Sequence, residues 1–239
     1  MQVISSKDNE QIKAIRKLKD KKYRDETNEY MIEGIKLVKE AISENAKIKM
    51  IVICEDCEET AEGKATSYHE NKIDQSLLYE IAKYECIYVT KKIFTLLSEV
   101  QTPQGILAVV EKNNHNTAIN YTEDIILVLD GIQDPGNLGT ILRTIDSANL
   151  KQVILSSETA DPYNPKVVRS TMGAIFRINM IRSKNLVDTL KEIKKHKYEI
   201  VVTALDTNSS IYDIEYKKKV IVIRKWGKWS FKRGTKHSW

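Results

Sequence analysis

Apolar residues in the first 110 positions follow two different periodicities. Ile12, Ile15 and Leu18 recur at helical spacing, as do the apolar residues between positions 35 and 42, so two amphipathic helices are predicted. Three short runs rich in β-branched residues predict strands, namely IKMIVI (48–53), CIYV (86–89) and ILAVV (106–110). We therefore expect residues 1–110 to form a small α/β domain.

A polar stretch separates this region from a longer alternating pattern. Residues 111–122 read EKNNHNTAINYT and predict a linker. Between 123 and 223, the strand-like runs IILVLD, QVILS, FRINM, YEIVVTA and VIVI alternate with helical segments. Such alternation predicts a mostly parallel sheet covered on both faces, with ligands bound at the loops beyond the carboxyl ends of the strands.

The final residues, 224–239, differ from the rest in composition. This tail follows VIVI directly and contains all three tryptophans, six Lys or Arg, and no acid. The whole chain has a formal charge of +5, but residues 1–223 contain 32 Lys or Arg against 33 Asp or Glu. The excess positive charge therefore belongs to the tail, apart from a basic cluster in residues 1–25, where eight bases meet four acids.

Several classes of protein are disfavoured by composition. No run approaches the roughly 18–20 apolar residues of a membrane span, and the start MQVISSKDNEQIK has no apolar signal core. Three cysteines, an odd and sparse count, are typical of a reducing compartment. Cys54 and Cys57 form a CxxC without a second pair, and the four histidines lack metal-binding spacing. We expect a soluble cytoplasmic protein without a metal site.

Two segments carry candidate chemistry. In DGIQDPGNLGTILRTIDSAN, the glycines allow close approach to a ligand, Asn137 supplies an amide, and Arg143 follows on the predicted helix. The alternative is a loop that only turns the chain. In DPYNPKVVRSTMGAIFRINM, Lys166 and Arg169 share a helical face suited to a phosphate, and Asn164 is a candidate helix cap. The alternative there is an amphipathic helix with a solvated basic side.

The same segments resemble a known family. DPGNLGTILRTIDSAN followed by YNPKVVRSTMGAIFRI is similar to the SpoU, or TrmH-type, family of RNA ribose methyltransferases, within the SPOUT class. The first half, with IEGIKLVKEAI and TPQGILAVV, resembles that family's ribosomal-protein-like RNA-substrate-binding domain. The resemblance covers nearly all of residues 5–223. It implies a parallel-sheet α/β methyltransferase domain of the knotted type at 123–223 and a homodimer.

The resemblance also implies a reaction and its residues. The reaction is transfer of a methyl group from S-adenosylmethionine to a ribose 2′-hydroxyl of RNA, most readily ribosomal RNA. Arg143 and Asn137 match catalytic-motif positions, and the adenosyl group is expected at Thr203, Ala204, Leu205, Ile221 and Ile223. The RNA backbone is expected to contact five basic residues: Lys13, Arg16, Arg24, Lys166 and Arg169. Packing at strand ends is the alternative role of Leu205 and the isoleucines.

The chain departs from the family after residue 223. The family continues with G-N-E-x-x-G and ends near S-L-N-V, whereas this chain has RKWGKWSFKRGTKHSW. Written in A-rich codons and read one base later, the tail translates as GNGENGVSKEVQNIA, close to the missing motif. We hypothesise that one extra base near codon 224 shifted the frame, which leaves the methyltransferase domain incomplete at its C-terminus.

Two consequences and two alternatives accompany this hypothesis. We expect the 239-residue product to bind S-adenosylmethionine weakly and to be poorly stable. If the tail is genuine, its basic and aromatic residues suit stacking on RNA, and the alternative is an RNA-binding protein without catalysis. A nucleotide-dependent oxidoreductase is disfavoured because GxGxxG with a downstream acidic residue is absent from the sequence.

Overall fold

The computed structural model describes residues 3–55, 73, 75–112, 118–203, 210–213, 215 and 217–224. Its helices are α1 (Glu10–Lys17), α2 (Lys21–Thr27), α3 (Ile35–Ser43), α4 (Gln75–Ile81), α5 (Lys91–Leu97), α6 (Pro135–Ser147), α7 (Pro165–Ser170) and α8 (Leu186–Lys195). Its strands are β1 (Val3–Ile4), β2 (Glu29–Glu33), β3 (Ile48–Cys54), β4 (Cys86–Val89), β5 (Ile106–Glu111), β6 (Ile125–Asp130), β7 (Gln152–Leu155), β8 (Asn179–Arg182), β9 (Glu199–Val202) and β10 (Lys219–Arg224). The chain divides into two compact units, residues 1–113 with 161–177, and residues 114–160 with 178–239.

The first unit is built on a mixed sheet with strand order β1-β4-β3-β5-β2. β3 pairs parallel to β4 and antiparallel to β5, and β2 pairs antiparallel to β5. The three strands predicted here are confirmed as β3, β4 and β5, and the two helices as α1 and α3. α1 begins at Asn9, whose side chain accepts from the N–H groups of Gln11 and Ile12, and its apolar face is buried.

Strand β2 was not predicted from the sequence. Its five residues, EYMIE, have a glutamate at each end and lack a polar–apolar alternation. Four of the five are nevertheless buried, and Glu33 keeps its carboxylate satisfied by Ser98 Oγ and by the N–H of Glu99 at 3.1 Å. Partners 65 and 66 residues away stabilise this end of the strand, which no local pattern can reveal.

The second unit contains a sheet of five strands in the order β8-β7-β6-β10-β9. Every strand pair in it is parallel, which confirms the sheet predicted from the alternating pattern. Alternate residues of the strands, with Ile193 of α8 and Tyr198, form one apolar cluster, which comprises Ile126, Val128, Ile154, Ile181, Ile193, Tyr198, Val220 and Val222. All strands consequently end at one edge, where ligands bind in open α/β sheets.

The compact units differ from the predicted domains in one segment and at two boundaries. Glu111, predicted as the first linker residue, is the last residue of β5. Residues 161–177, predicted within 123–223, group with the first unit, where α7 packs on β2 and buries Val167 and Val168. Arg224, predicted as the first tail residue, ends β10 because its backbone stays in register with Asp130. The predictions for tail residues 225–239, and those for Cys57, Ala204, Leu205 and three of the four histidines, lie outside the described residues.

The described part of the chain contains neither a membrane-spanning helix nor a cluster of metal ligands. None of its helices has the length and apolarity needed to cross a membrane. Within the same residues, no three His, Cys, Asp or Glu side chains come together in a way that could hold a metal ion.

Candidate functional site

The loop after β6 is held in place by two buried hydroxyl groups. Gly131 has φ of +70°, a backbone region that favours glycine. Its N–H donates to Ser156 Oγ at 3.0 Å and to Thr159 Oγ1 at 3.1 Å. Thr159 Oγ1 in turn donates to Leu129 O at 2.8 Å. The first residue of the loop is therefore fixed at the carboxyl end of the sheet.

Helix α6 follows this loop and carries both predicted catalytic residues. Asp134 caps the helix by accepting from the N–H of Asn137 at 2.8 Å, and Pro135 occupies the first turn. Asn137 and Arg143 are both exposed. Six residues of α-helix place them about 9 Å apart along the axis and about 120° apart around it. The two side chains consequently suit different groups of an extended ligand.

The guanidinium of Arg143 is free to meet a ligand. Among the described residues, no hydrogen bond or ion pair involves its side chain, whereas its carbonyl accepts from Ser147 Oγ at 2.9 Å. An exposed arginine that has five N–H donors and no internal partner can bind a phosphate or a developing oxyanion.

Helix α7 carries the second predicted pair. Asn164 Oδ1 accepts from the N–H of Lys166 at 2.9 Å and Pro165 follows at the first position, so the predicted cap is confirmed. Val167 and Val168 are buried, while Lys166 is exposed and Arg169 is partly exposed. Neither cation pairs with another described side chain. The helix is thus amphipathic, and its basic face stays available for an anion.

Two arginine–carboxylate junctions hold the segment around α7 within the first unit. At its start, Arg24 Nη2 lies 2.5 Å from Asp161 Oδ2. At its end, Arg177 Nη1 contacts Glu40 at 2.7 Å and Glu44 at 3.0 Å.

Tyr163, two residues after Asp161, packs against a second tyrosine and a lysine. The ring of Tyr163 lies 4.8 Å from that of Tyr30, and Lys112 Nζ lies 5.1 Å from the Tyr163 ring centre. Burial raises the pKa of both tyrosines well above the usual value, so their hydroxyls stay neutral.

The RNA contact predicted for Arg24 is wrong, because the structure buries its side chain. Its side chain is 2% exposed, and Nη1 donates to Leu18 O at 2.7 Å and to Lys19 O at 2.8 Å. All of these partners are internal, so Arg24 is not available to contact RNA. Lys13 and Arg16, also predicted to contact RNA, are not buried in this way. Lys13 pairs with Glu10 at 3.1 Å, and Arg16 is exposed without a partner among the described side chains.

The predicted cofactor residues lie on β10 and just after β9. Ile221 and Ile223 are partly buried and alternate with Val220 and Val222, which face the core. Thr203 is exposed, and both its N–H and its hydroxyl donate to Val222 O, at 3.1 and 3.3 Å. A partly exposed apolar strip beside a hydroxyl with free lone pairs fits an adenosyl group, which has apolar ring faces and polar edges.

Comparison with known proteins assigns the chain to a family. Residues 124–223 match the model of the SpoU rRNA Methylase family, and residues 9–108 match the MRM3-like substrate binding domain. The 23S rRNA (guanosine(2553)-2′-O)-methyltransferase RlmP of Bacillus subtilis is 33% identical over 223 residues, which cover 93% of this chain and 82% of that protein. The chain belongs to the SpoU rRNA methylase family.

Other relatives of this SpoU family member agree with the match. The mitochondrial rRNA methyltransferase 3A of Danio rerio is 30% identical over 79% of this chain and 41% of its own length. The crystal structure of an AdoMet-bound rRNA methyltransferase from Sinorhizobium meliloti superposes with a TM-score of 0.76 at 29% identity, covering 94% of this chain and 82% of that one. Both the fold class and the family predicted from the sequence are therefore confirmed.

One residue of this SpoU chain was missed by the sequence analysis. Arg182, at the end of β8, donates from Nη1 to Ser156 O and Thr159 O at 3.0 and 3.1 Å, and from Nη2 to Thr159 O and Ala160 O at 3.2 and 3.3 Å. It therefore braces the same loop whose hydroxyls hold Gly131. Its partners are 22 to 26 residues away, so no short motif could have identified it.

Proposed function

We propose that this protein methylates a ribose 2′-hydroxyl of ribosomal RNA, using S-adenosylmethionine as the methyl donor. Family membership establishes the class of reaction and the cofactor. The observation that carries the assignment to this site is the exposed Arg143 guanidinium, which has no partner among the described side chains and lies on the helix after the fixed loop. Recognition of a 2′-hydroxyl accounts for an RNA rather than a DNA substrate.

Arg143 acts by positioning and by charge. A guanidinium stays protonated at any ordinary pH, so it does not remove the hydroxyl proton. It holds the ribose through a neighbouring phosphate and stabilises the negative charge that develops on O2′ as its proton passes to solvent water. S-adenosylmethionine, when bound, supplies an electrophilic methyl group. Asn137, with an exposed amide that both donates and accepts, orients a second polar group of the RNA.

The remaining predicted residues complete the proposal. Thr203, Ala204, Leu205, Ile221 and Ile223 hold the adenosyl group, supported for the described residues by the apolar strip and the strand-end hydroxyl. Lys13, Arg16, Lys166 and Arg169 contact the RNA backbone, supported by the exposure of Arg16 and Lys166 and the partial exposure of the other two. Arg24 is left out because it is buried.

Three wider parts of the proposal rest on the resemblance and on composition. They are a homodimer, a role in the processing of ribosomal RNA, and a location in the cytoplasm. Sedimentation of the purified protein tests the first of them directly. A monomer at micromolar concentration, with methyl transfer intact, would contradict the dimer.

The tail at 224–239 decides how active this product is. We propose that the frame shifts near codon 224 and that this product consequently binds S-adenosylmethionine weakly. Sequencing the gene across codons 215–240 tests the first statement, and calorimetry with S-adenosylmethionine tests the second. A confirmed frame with no family-like segment downstream would instead favour the alternative, an RNA-binding protein without catalysis, because the tail has basic and aromatic residues.

Methyl incorporation tests the main proposal. The protein is incubated with radiolabelled S-adenosylmethionine and unmodified ribosomal RNA, and the product is hydrolysed in alkali, because a 2′-O-methyl group blocks cleavage at its own nucleotide. We expect Arg143→Ala to lower the rate by about 100-fold to 1,000-fold, as loss of an oxyanion-stabilising donor does. Thr144→Ala, at the next exposed position of α6, is the matched control and should retain the rate. Label in alkali-sensitive nucleotides, or equal rates in both variants, would contradict the proposal.

A further inference from the structure

A cavity of about 540 Å³ lies in the first unit, at the start of α3 and beside α7. Small-molecule sites in proteins commonly have volumes of roughly 300–1,000 Å³, so this one can hold a single nucleotide. The residues of its wall that matter here are Gly34, Lys36, Leu37, Gln104, Arg169 and Met172. None of the sequence motifs assigned a role to the cavity, to Lys36 or to Met172.

The charges around the cavity favour an anion. Glu40 is paired with Arg177 at 2.7 Å, and Glu33 already accepts from Ser98 and from the N–H of Glu99. The cations Lys36 and Arg169, by contrast, have no hydrogen-bond or ion-pair partner among the described side chains. Two unpaired cations beside carboxylates that are already bound attract a phosphate group.

The apolar part of the wall suits a base. Met172 has φ of +52°, a conformation that is uncommon for residues other than glycine, and its side chain is 56% exposed. That backbone conformation presents a large flexible thioether at the cavity beside Leu37. Residues with a strained backbone conformation are enriched at ligand sites, and the planar face of a base is a ligand that this apolar surface fits.

The cavity wall at the start of α3 is held by a contact between a backbone turn and a glutamine side chain. Gly34 has φ of +107°, and a Cβ there would lie 3.0 Å from Gln104 Oε1. The same oxygen accepts from the N–H of Ile35 at 2.8 Å and so fixes the first turn of α3. The glycine is therefore needed where the glutamine side chain crosses the backbone, and this contact fixes the part of the cavity wall at the start of α3.

We propose that this cavity is a subsite for one unpaired nucleotide of the RNA substrate. Its base lies against Leu37 and Met172, and its phosphate is held by Lys36 and Arg169. The inference rests on the proposed function, because it takes the substrate to be RNA. A concave site of this size admits a base from a loop or a bulge, whereas a base in a duplex is stacked and cannot enter.

Salt dependence and crosslinking test the subsite in the full-length protein. The probe is a 12-nucleotide single-stranded RNA that contains one 4-thiouridine, and the comparison probe is the same RNA in a duplex. We expect Lys36→Gln to reduce the slope of log affinity against log salt by about 0.7, the contribution of one phosphate contact in a single strand. Lys92→Gln, at an exposed position of α5 outside the cavity, is the matched control and should leave the slope unchanged. Irradiation should crosslink the single strand, and not the duplex, to a peptide containing Leu37 or Met172.

The outcomes separate this inference from the proposed function. Equal slopes for Lys36→Gln and Lys92→Gln, together with crosslinks that lie only outside the cavity, overturn the subsite even if the protein methylates RNA. Methyl incorporation that is unaffected by Arg143→Ala overturns the proposed function, whatever the crosslinks show. Binding of a phosphopeptide at the cavity in preference to the RNA also overturns the subsite.

Discussion

Replacing Arg24 with methionine is expected to lower the free energy of unfolding of the first unit by about 3–5 kcal/mol. The guanidinium is 2% exposed and donates to two backbone carbonyls and to Asp161, whose side chain is 11% exposed. Methionine replaces the aliphatic part of the side chain but leaves a nearly buried carboxylate without its counter-charge. Two carbonyls also lose their donors, and each such loss is costly in a buried site.

Urea unfolding monitored by circular dichroism measures this change. With a slope of about 2 kcal/mol per molar urea, the midpoint should fall by about 2 M. Asp161→Leu, alone and combined with Arg24→Met, completes a double-mutant cycle. Because replacing both members of a buried pair by apolar residues is far less costly than breaking it, the double variant should be more stable than Arg24→Met alone. A loss below about 1 kcal/mol, or strictly additive effects, would refute the reasoning.

The same variant separates the structural role of Arg24 from the RNA contact first predicted for it. Under conditions in which Arg24→Met remains folded, the salt dependence of RNA binding should match that of the unmodified protein. Arg16→Gln, which removes an exposed cation on the adjacent helix, should reduce the slope by about 0.7. A reduced slope in the folded Arg24→Met protein would show that the buried side chain does reach RNA.

Three further predictions concern other positions. Gly173→Ala should destabilise the protein by about 1–2 kcal/mol in urea unfolding, because φ is +97° and the new Cβ would lie 3.1 Å from Glu40 Cγ; an unchanged midpoint would contradict this. Partial burial alone raises the pKa of Asp25, but the hydrogen bond and charge of Lys112 outweigh it and lower the pKa below 3.8. A carboxyl whose pKa is lowered in the folded state stabilises the fold above about pH 4, and this stabilisation is lost as the pH falls through the folded-state pKa. In Lys112→Met, the free energy of unfolding should therefore depend less steeply on pH at acid pH. Arg182→Met should speed hydrogen exchange in residues 156–160, since four hydrogen bonds to that loop are lost; exchange equal to that of the unmodified protein would count against the bracing role.

Much of the secondary structure and the family could be predicted from the sequence. Strands β3 to β10 and helices α1, α3, α6 and α8 follow local apolar periodicity, and the cap at Asn164 with Pro165 at the first helical position follows from residue type. The motif around Arg143 was identified because its residues are contiguous in the chain. Strand β2 was missed because its pattern is not amphipathic and its burial comes from partners far along the chain.

The sequence by itself determined the periodic elements, the parallel character of the second sheet, and the residues that resemble the catalytic motif, since each of these depends on a few neighbouring positions. Only the tertiary structure decided the strand order, the grouping of residues 161–177 with the first unit, and which charged side chains are buried. Arg24 and Arg143 are both arginines on helices, yet one is buried against Asp161 and the other is exposed. The difference arises from a partner 137 residues away, and the energy of a charge depends on which groups surround it in space.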